Sequence, residues 1–192
     1  MSDENRRRCA STYIAGLKAC LDTLALDEIM LFLKYLEQVY REGRAIFLIG
    51  NGGSAATASH IACDLGKTSE HLIRVMALTD CTPWVTALAN DIGYQYVFAA
   101  QLKTWLHPRD LVIAITCSGN SPNIIEAIKV AKAGGAFVVG ILGDGGQVKS
   151  MVDACVSVPR VDIGYVEDVH LMLGHLATRY FKSFVDVTTE AR

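Results

Sequence analysis

The stretch "AIFLIGNGGSAATASHIACDLG", residues 45–66, decides how the chain reads. Ala45–Ile49 is short and uniformly apolar, which suits a strand covered on both faces better than a solvent-facing strand of alternating polarity. Gly50 to Ser54 then break the run, and small helix-forming residues follow. A strand that passes through glycines into a helix presents unpaired amide N–H groups and the positive end of the helix dipole, a natural seat for an anion. Glycine lets the backbone approach a ligand closely, and serine hydroxyls add donors.

The same arrangement recurs in "IAITCSGNSPNII", residues 113–125. Thr116, Ser118, Asn120 and Ser121 supply donors around Gly119, and Pro122 suits the first position of the next helix. Neither loop reads GxxxxGK[ST] or GxGxxG, and no P-loop lysine is present, which points away from nucleoside triphosphates and dinucleotides. Ordinary strand–helix turns use the same residues, but two such loops together favour a cradle for a small phosphorylated metabolite.

Outward from these loops, further apolar runs fall at Val75–Leu78, Leu111–Ile115, Phe137–Leu142 and Ala154–Val158. Helical segments are expected near 54–66, 94–106, 122–133 and 147–151. Alternating strands and helices with right-handed crossovers predict an α/β fold on a five-stranded parallel, doubly wound sheet. Residues 11–42 read as a helical pair, with Leu17, Leu21 and Leu24 in one stripe, Asp27 as a cap, and Ile29, Phe32, Leu33, Leu36 and Val39 continuing the stripe. Gly43 suits the position just past a helix end. A last helix is expected over about 166–186, with Val169, Leu173, Leu176, Tyr180 and Phe184 buried. No linker-like tract divides the chain, so a single domain is expected over 1–192, with N-terminal helices in 1–43 and the core and C-terminal helix in 44–192.

Composition narrows the function classes. The 192 residues are 51% hydrophobic and 20% charged, with net charge −2. That balance argues against electrostatic binding of nucleic acid, and Arg6-Arg7-Arg8 reads as a solvated end. The six cysteines lack CxxC spacing, no secretory leader is evident, and no run nears the ~18 apolar residues of a membrane span. A reduced, cytoplasmic protein without disulfides or membrane partner is expected.

His60 and Asp64 fall at i and i+4, on one face of the helix leaving the first loop, a spacing that permits joint metal ligation. The last helix carries "EDVHLMLGH", with Glu167, His170 and His175. His170 sits near the apolar stripe and is expected to be buried, whereas Glu167 and His175 point away from it. Zinc would suit His60, Asp64 and His175 plus an oxygen or water. Eight residues of helix separate Cα atoms by ~12 Å, so Glu167 joins that set only if the helix starts near it and both side chains lean inward.

Together, "GNGGSAATASHIACDL", "ALANDIGY", "ITCSGNSPNIIEAIKVAKAGG", "GDGG" and "EDVHLMLGH" resemble the sedoheptulose-7-phosphate isomerase (phosphoheptose isomerase) family of sugar isomerase (SIS) domains. The resemblance implies a three-layer αβα sandwich, a homotetramer with sites at subunit interfaces and one zinc per subunit. It also implies interconversion of sedoheptulose 7-phosphate and D-glycero-D-manno-heptose 7-phosphate. Carried over by motif, Asn51, Gly52, Gly53 and Ser54 line the sugar pocket, with Asn90 and Asp91 contributing. Thr116, Cys117, Ser118 and Ser121 match the phosphate loop. His60, Asp64, Glu167 and His175 match the metal and acid–base positions, and Glu167 also borders the substrate. Asp64 stands where the family usually has glutamate, Glu167 where it has glutamine, and Cys117 where threonine is commoner.

Aldose–ketose isomerisation needs a base near the C–H, an acid for the oxygen and positive charge for the developing oxyanion. The expected roles are Asp64 as base, His175 as acid and His60 as metal anchor, with Glu167 the alternative base. An isomerase of another ketose phosphate and a non-catalytic SIS protein that binds a protein partner are the competing readings.

Overall fold

The computed structural model describes residues 2–68, 73–143, 145–159 and 162–190, the last four as backbone alone. Five parallel strands, β1 (Ala45–Ile49), β2 (Arg74–Ala77), β3 (Leu111–Thr116), β4 (Phe137–Leu142) and β5 (Ala154–Ser157), form one sheet in the order β2-β1-β3-β4-β5. The register sets Leu48 opposite Ile113 and Ile113 opposite Val139. Ile46 and Leu48 join the core under α2 (Leu26–Arg41), α3 (Gly53–Thr68) and α7 (Ile163–Glu190). Phe47 and Ile49 face the opposite core, under α5 (Val97–Trp105) and α6 (Pro122–Ala133). This alternation at period two gives the two-sided cover that the apolar runs predict and the αβα sandwich that the resemblance implies.

The sheet edges differ. β2 exposes Arg74 and Met76, so this run is not covered on both faces as expected. An edge strand has only one paired neighbour, and polar or half-exposed residues are tolerated there. At the other edge, α2 covers β5, and Glu28 Oε2 accepts a hydrogen bond from the Ser157 backbone N–H at 2.8 Å.

The N-terminal helix α1 (Asp3–Asp22) begins eight residues earlier than expected. Ser2 caps it by accepting from Asn5 N, and Asp3 and Glu4 lie in the first turn, where carboxylates favour the dipole. The arginine run is therefore helical. Asp27 is not the cap of α2; Ala25 holds that position, and Asp27 and Glu28 occupy the first turn. Gly43 adopts φ +61° past the end of α2, as the sequence implies.

One helix was not anticipated: α4, Thr82–Asp91, buries none of its residues and so writes no apolar stripe into the sequence. The 94–106 segment opens with a 3-10 turn, Tyr94–Tyr96, before α5, and 147–151 contains only the 3-10 turn Gln147–Ser150. In α7 the fully buried line is Val166, Val169, Leu173, Ala177 and Phe181, with Leu176, Tyr180 and Phe184 packed at its margin. Among the described residues, no helix is long and apolar enough to cross a membrane.

Candidate functional site

With strand order 2-1-3-4-5, the direction of winding reverses between β1 and β3, and ligands of such sheets settle beyond the carboxyl ends of the strands at that point. Both glycine-serine loops are there. A cavity of about 180 Å³ opens between them, walled by Asn51 and Ser54 on one side and Thr116, Cys117, Ser118 and Ser121 on the other. Ile163 and Glu167 of α7 close the third side.

The second loop is held in shape from behind. Thr116 Oγ1 accepts from Gly119 N at 3.2 Å, and Ser118 Oγ accepts from Asn120 N at 3.2 Å. Asn120 Oδ1 accepts from Gln147 N at 2.9 Å, and Gly119 O accepts from Val148 N at 2.9 Å. Gly119 (φ +64°) and Gly146 (φ +62°) pack backbone to backbone, leaving no space for a Cβ at either. The glycines of "GDGG" thus buttress the loop, while Asp144 of that motif lies outside the described residues. Ser121 precedes α6 without making a cap hydrogen bond, so its hydroxyl is available to a ligand. Among the described residues, no lysine or arginine lines this cavity; an anion here would rest on hydroxyls, amides and the start of α6.

Asn90 and Asp91 do not reach this cavity. They sit on exposed α4 with Asn90 Nδ2 donating to Asp91 Oδ1 at 2.9 Å. The contact from "ALANDIGY" is made by Tyr94, whose hydroxyl donates to Asn51 Oδ1 at 2.8 Å. Asn123 completes the group through paired carboxamide hydrogen bonds with Asn51. Neither Tyr94 nor Asn123 was singled out from sequence, because nothing local marks their contact with Asn51.

Helices α3 and α7 run alongside one another. Gly53 abuts the Glu167 carboxylate at the cavity, and further along the pair Gly174 abuts Ile61, where a Cβ would meet the isoleucine side chain. This close approach brings His60 and His175 together, Nε2 to Nε2 at 3.1 Å, with the rings edge to face. Asp64 Oδ2 lies 3.2 Å from His60 Nε2. One ligand atom from each of the three residues falls within 4.8 Å of the others.

Two imidazole nitrogens and a carboxylate converging on one point form a mixed N/O donor set that fits zinc. The carboxylate is held ionised: Lys67 Nζ donates to Asp64 Oδ1 at 2.7 Å and keeps the carboxyl below its ordinary range, burial acts the other way, and the two imidazoles add a smaller downward pull. Glu167 is not in this cluster. Its carboxylate sits at the start of α3, beside the cavity, roughly two turns of α7 away. His170 is fully buried as expected, and burial pushes its pKa down to about 4.

The sheet order, the paired loops at the switch point and the α3–α7 cluster define a SIS-domain protein, and the family model described as "SIS domain" matches residues 12–143. The chain is 38% identical over 143 residues to the phosphoheptose isomerase of Roseiflexus sp. (strain RS-1), covering 72% of this chain and 73% of that protein. It is 35% identical over 170 residues to the phosphoheptose isomerase of Clostridium acetobutylicum, covering 86% and 87%. The solved structure of phosphoheptose isomerase GmhA from Neisseria gonorrhoeae superposes with a TM-score of 0.87 at 28% identity, over 95% of this chain and 100% of that one. The chain belongs to the phosphoheptose isomerase family of SIS domains.

Proposed function

We propose that the protein is an aldose–ketose isomerase that interconverts sedoheptulose 7-phosphate and D-glycero-D-manno-heptose 7-phosphate with the help of one zinc per subunit. The observation that carries the reading is the shared use of α3 and α7: each helix borders the phosphate-type cavity at one end and supplies the His60, Asp64 and His175 cluster further along. Ser54 and His60 are six residues apart on α3, roughly 9 Å. A molecule gripped by its phosphoryl group at Thr116–Ser121 therefore needs a long carbon chain for its far end to approach the cluster.

His60, Asp64 and His175 would hold the zinc, which when bound supplies Lewis-acid charge beside the sugar carbonyl. The proton between the adjacent carbons is moved by a carboxylate. Glu167 is better suited to this than Asp64, because its carboxylate borders the cavity and makes no hydrogen bond among the described residues. Both Asp64 oxygens are engaged, and its ion pair with Lys67 weakens it as a proton acceptor. His175 cannot use Nε2 both as ligand and as acid, so its role is anchoring. The loop hydroxyls and amides orient the phosphoryl group.

The reading extends to a homotetramer with sites completed at subunit contacts. Its support is that His60 is about half exposed, that α4 buries no residue, and that Ile92, Tyr94, Tyr96 and Trp105 are exposed. Six free cysteines suit a reducing cytoplasm. Incubation with C5 to C7 ketose phosphates, with zinc and with chelator, tests the proposal. Zinc-dependent formation of the aldose from the C7 substrate is expected; turnover confined to shorter ketoses, or none, would reject it.

A further inference from the structure

The carboxamide of Asn51 is oriented from behind by a chain of hydrogen bonds that begins at a backbone amide. The Ile124 N–H donates to Asn123 Oδ1 at 3.0 Å. A backbone N–H can only donate, so the Asn123 oxygen must face it, and this settles which way the Asn123 amide lies. Asn123 is 2% exposed, so water does not compete for it. Its Nδ2 donates to Asn51 Oδ1 at 2.8 Å, and Asn51 Nδ2 returns a bond to Asn123 Oδ1 at 2.9 Å.

The Tyr94 hydroxyl donates to the same Asn51 Oδ1 at 2.8 Å. A carboxamide oxygen accepts two hydrogen bonds, and both are made here. Of the two Nδ2 protons, one is used. Asn51 therefore offers the cavity one N–H donor and no acceptor. Asn51 and Ser121 line both this cavity and a neighbouring recess of about 480 Å³, which Tyr94 and Asn123 also border.

We propose that Asn123 and Tyr94 are positioning residues that lock Asn51 as a donor-only contact, so that this wall selects a ligand oxygen with a free lone pair. The ligand class, an oxygen-rich sugar phosphate, rests on the isomerase reading; the orientation of the amide does not.

The test uses the full chain labelled with ¹⁵N-asparagine, as wild type, Y94F and N123D. Inorganic phosphate and sedoheptulose 7-phosphate are titrated while the Asn51 side-chain signals are followed, and KM and kcat are measured alongside. The carboxylate introduced by N123D would still accept from the Ile124 N–H in a helix first turn. It cannot donate to Asn51, so it sets a carboxylate oxygen against Asn51 Oδ1 and removes one of the two donors that lock that amide. Y94F removes one donor without changing charge and separates this effect from added repulsion.

We expect the Asn51 amide protons to shift on ligand addition in the wild type. Sugar-phosphate affinity should fall about three- to tenfold in Y94F and more than tenfold in N123D. Both variants should raise KM more than they lower kcat, with melting temperature unchanged in Y94F. A Y94F protein matching wild type in both the Asn51 signals and KM would overturn the proposal. So would a wild type whose Asn51 signals ignore both probes. If the wild type binds the sugar phosphate through Asn51 but turns over no ketose phosphate, the donor-only assignment stands and the isomerase reading falls.

Discussion

His60 and His175 are 115 residues apart in the chain, yet their Nε2 atoms stand 3.1 Å apart. What allows this is Gly174, which packs on Ile61 where a Cβ would meet the isoleucine side chain and so lets α3 and α7 run close. Imidazole nitrogens converging in this way, with the Asp64 carboxylate beside them, form a donor set that could hold a cation.

Gly174→Ala should push the two helices apart. Overpacking of this kind costs roughly 1–3 kcal/mol, and Zn²⁺ or Co²⁺ affinity should drop at least about tenfold, in the range seen when support for metal ligands is lost. Adding Ile61→Ala removes the side-chain atoms that a Cβ at 174 would meet and should restore part of the affinity. Calorimetric titration of the metal into both variants checks this.

Asp64→Asn and Glu167→Gln should fail differently. The first should lose bound metal. The second should keep full metal occupancy and lose about 10²–10⁴ in kcat, the usual worth of general acid–base catalysis. Metal content by elemental analysis and turnover on the same preparations separate the two.

Gly119→Ala should damage the loop proposed to hold the phosphoryl group. The residue has φ +64° and lies against the Gly145 carbonyl. Strain of this kind costs on the order of 1–3 kcal/mol, and the distorted loop should raise KM for any sugar phosphate while metal binding at the α3–α7 cluster persists. Thermal melting and metal titration check both halves.

Stability should fall with acid because of His170. Its ring is buried, neither nitrogen has a hydrogen bond of good geometry among the described residues, and burial drives its pKa to about 4, which the nearby Leu142 carbonyl opposes only in part. An unfolded histidine titrates near about 6.5. Between those two values the unfolded chain takes up a proton that the folded one refuses. The neutral-ring contribution is therefore fully present above about pH 6.5 and is lost as pH falls, by at most about 1.4 kcal/mol per pH unit. Denaturant unfolding across that range should show a shallower acid loss in His170→Leu than in wild type.

Much of this was legible in the sequence. Uniformly apolar runs such as Leu111–Ile115 suit strands with cover on both faces, a reading that failed only at the edge strand β2, and the two loops at Asn51–Ser54 and Thr116–Ser121 announce backbone donors at strand ends. His60 and Asp64 share a helix face by spacing alone. What was hidden depends on tertiary neighbours. α4 left no trace because none of its residues is buried, and Glu167 parted from the other three because α7 runs beside α3 for several turns, delivering residues eight apart to different places. Tyr94 and Asn123 act through Asn51, a relation that exists only after β1, α6 and the turn before α5 have come together.

The most direct measurement of the central claim is a zinc titration of metal-stripped protein with turnover of sedoheptulose 7-phosphate followed at each step. One zinc per subunit should restore activity in proportion to occupancy, and the variants His60→Ala and His175→Ala should neither bind it tightly nor recover. Full turnover in the presence of chelator, or stoichiometric zinc binding and activity in both histidine variants, would contradict it.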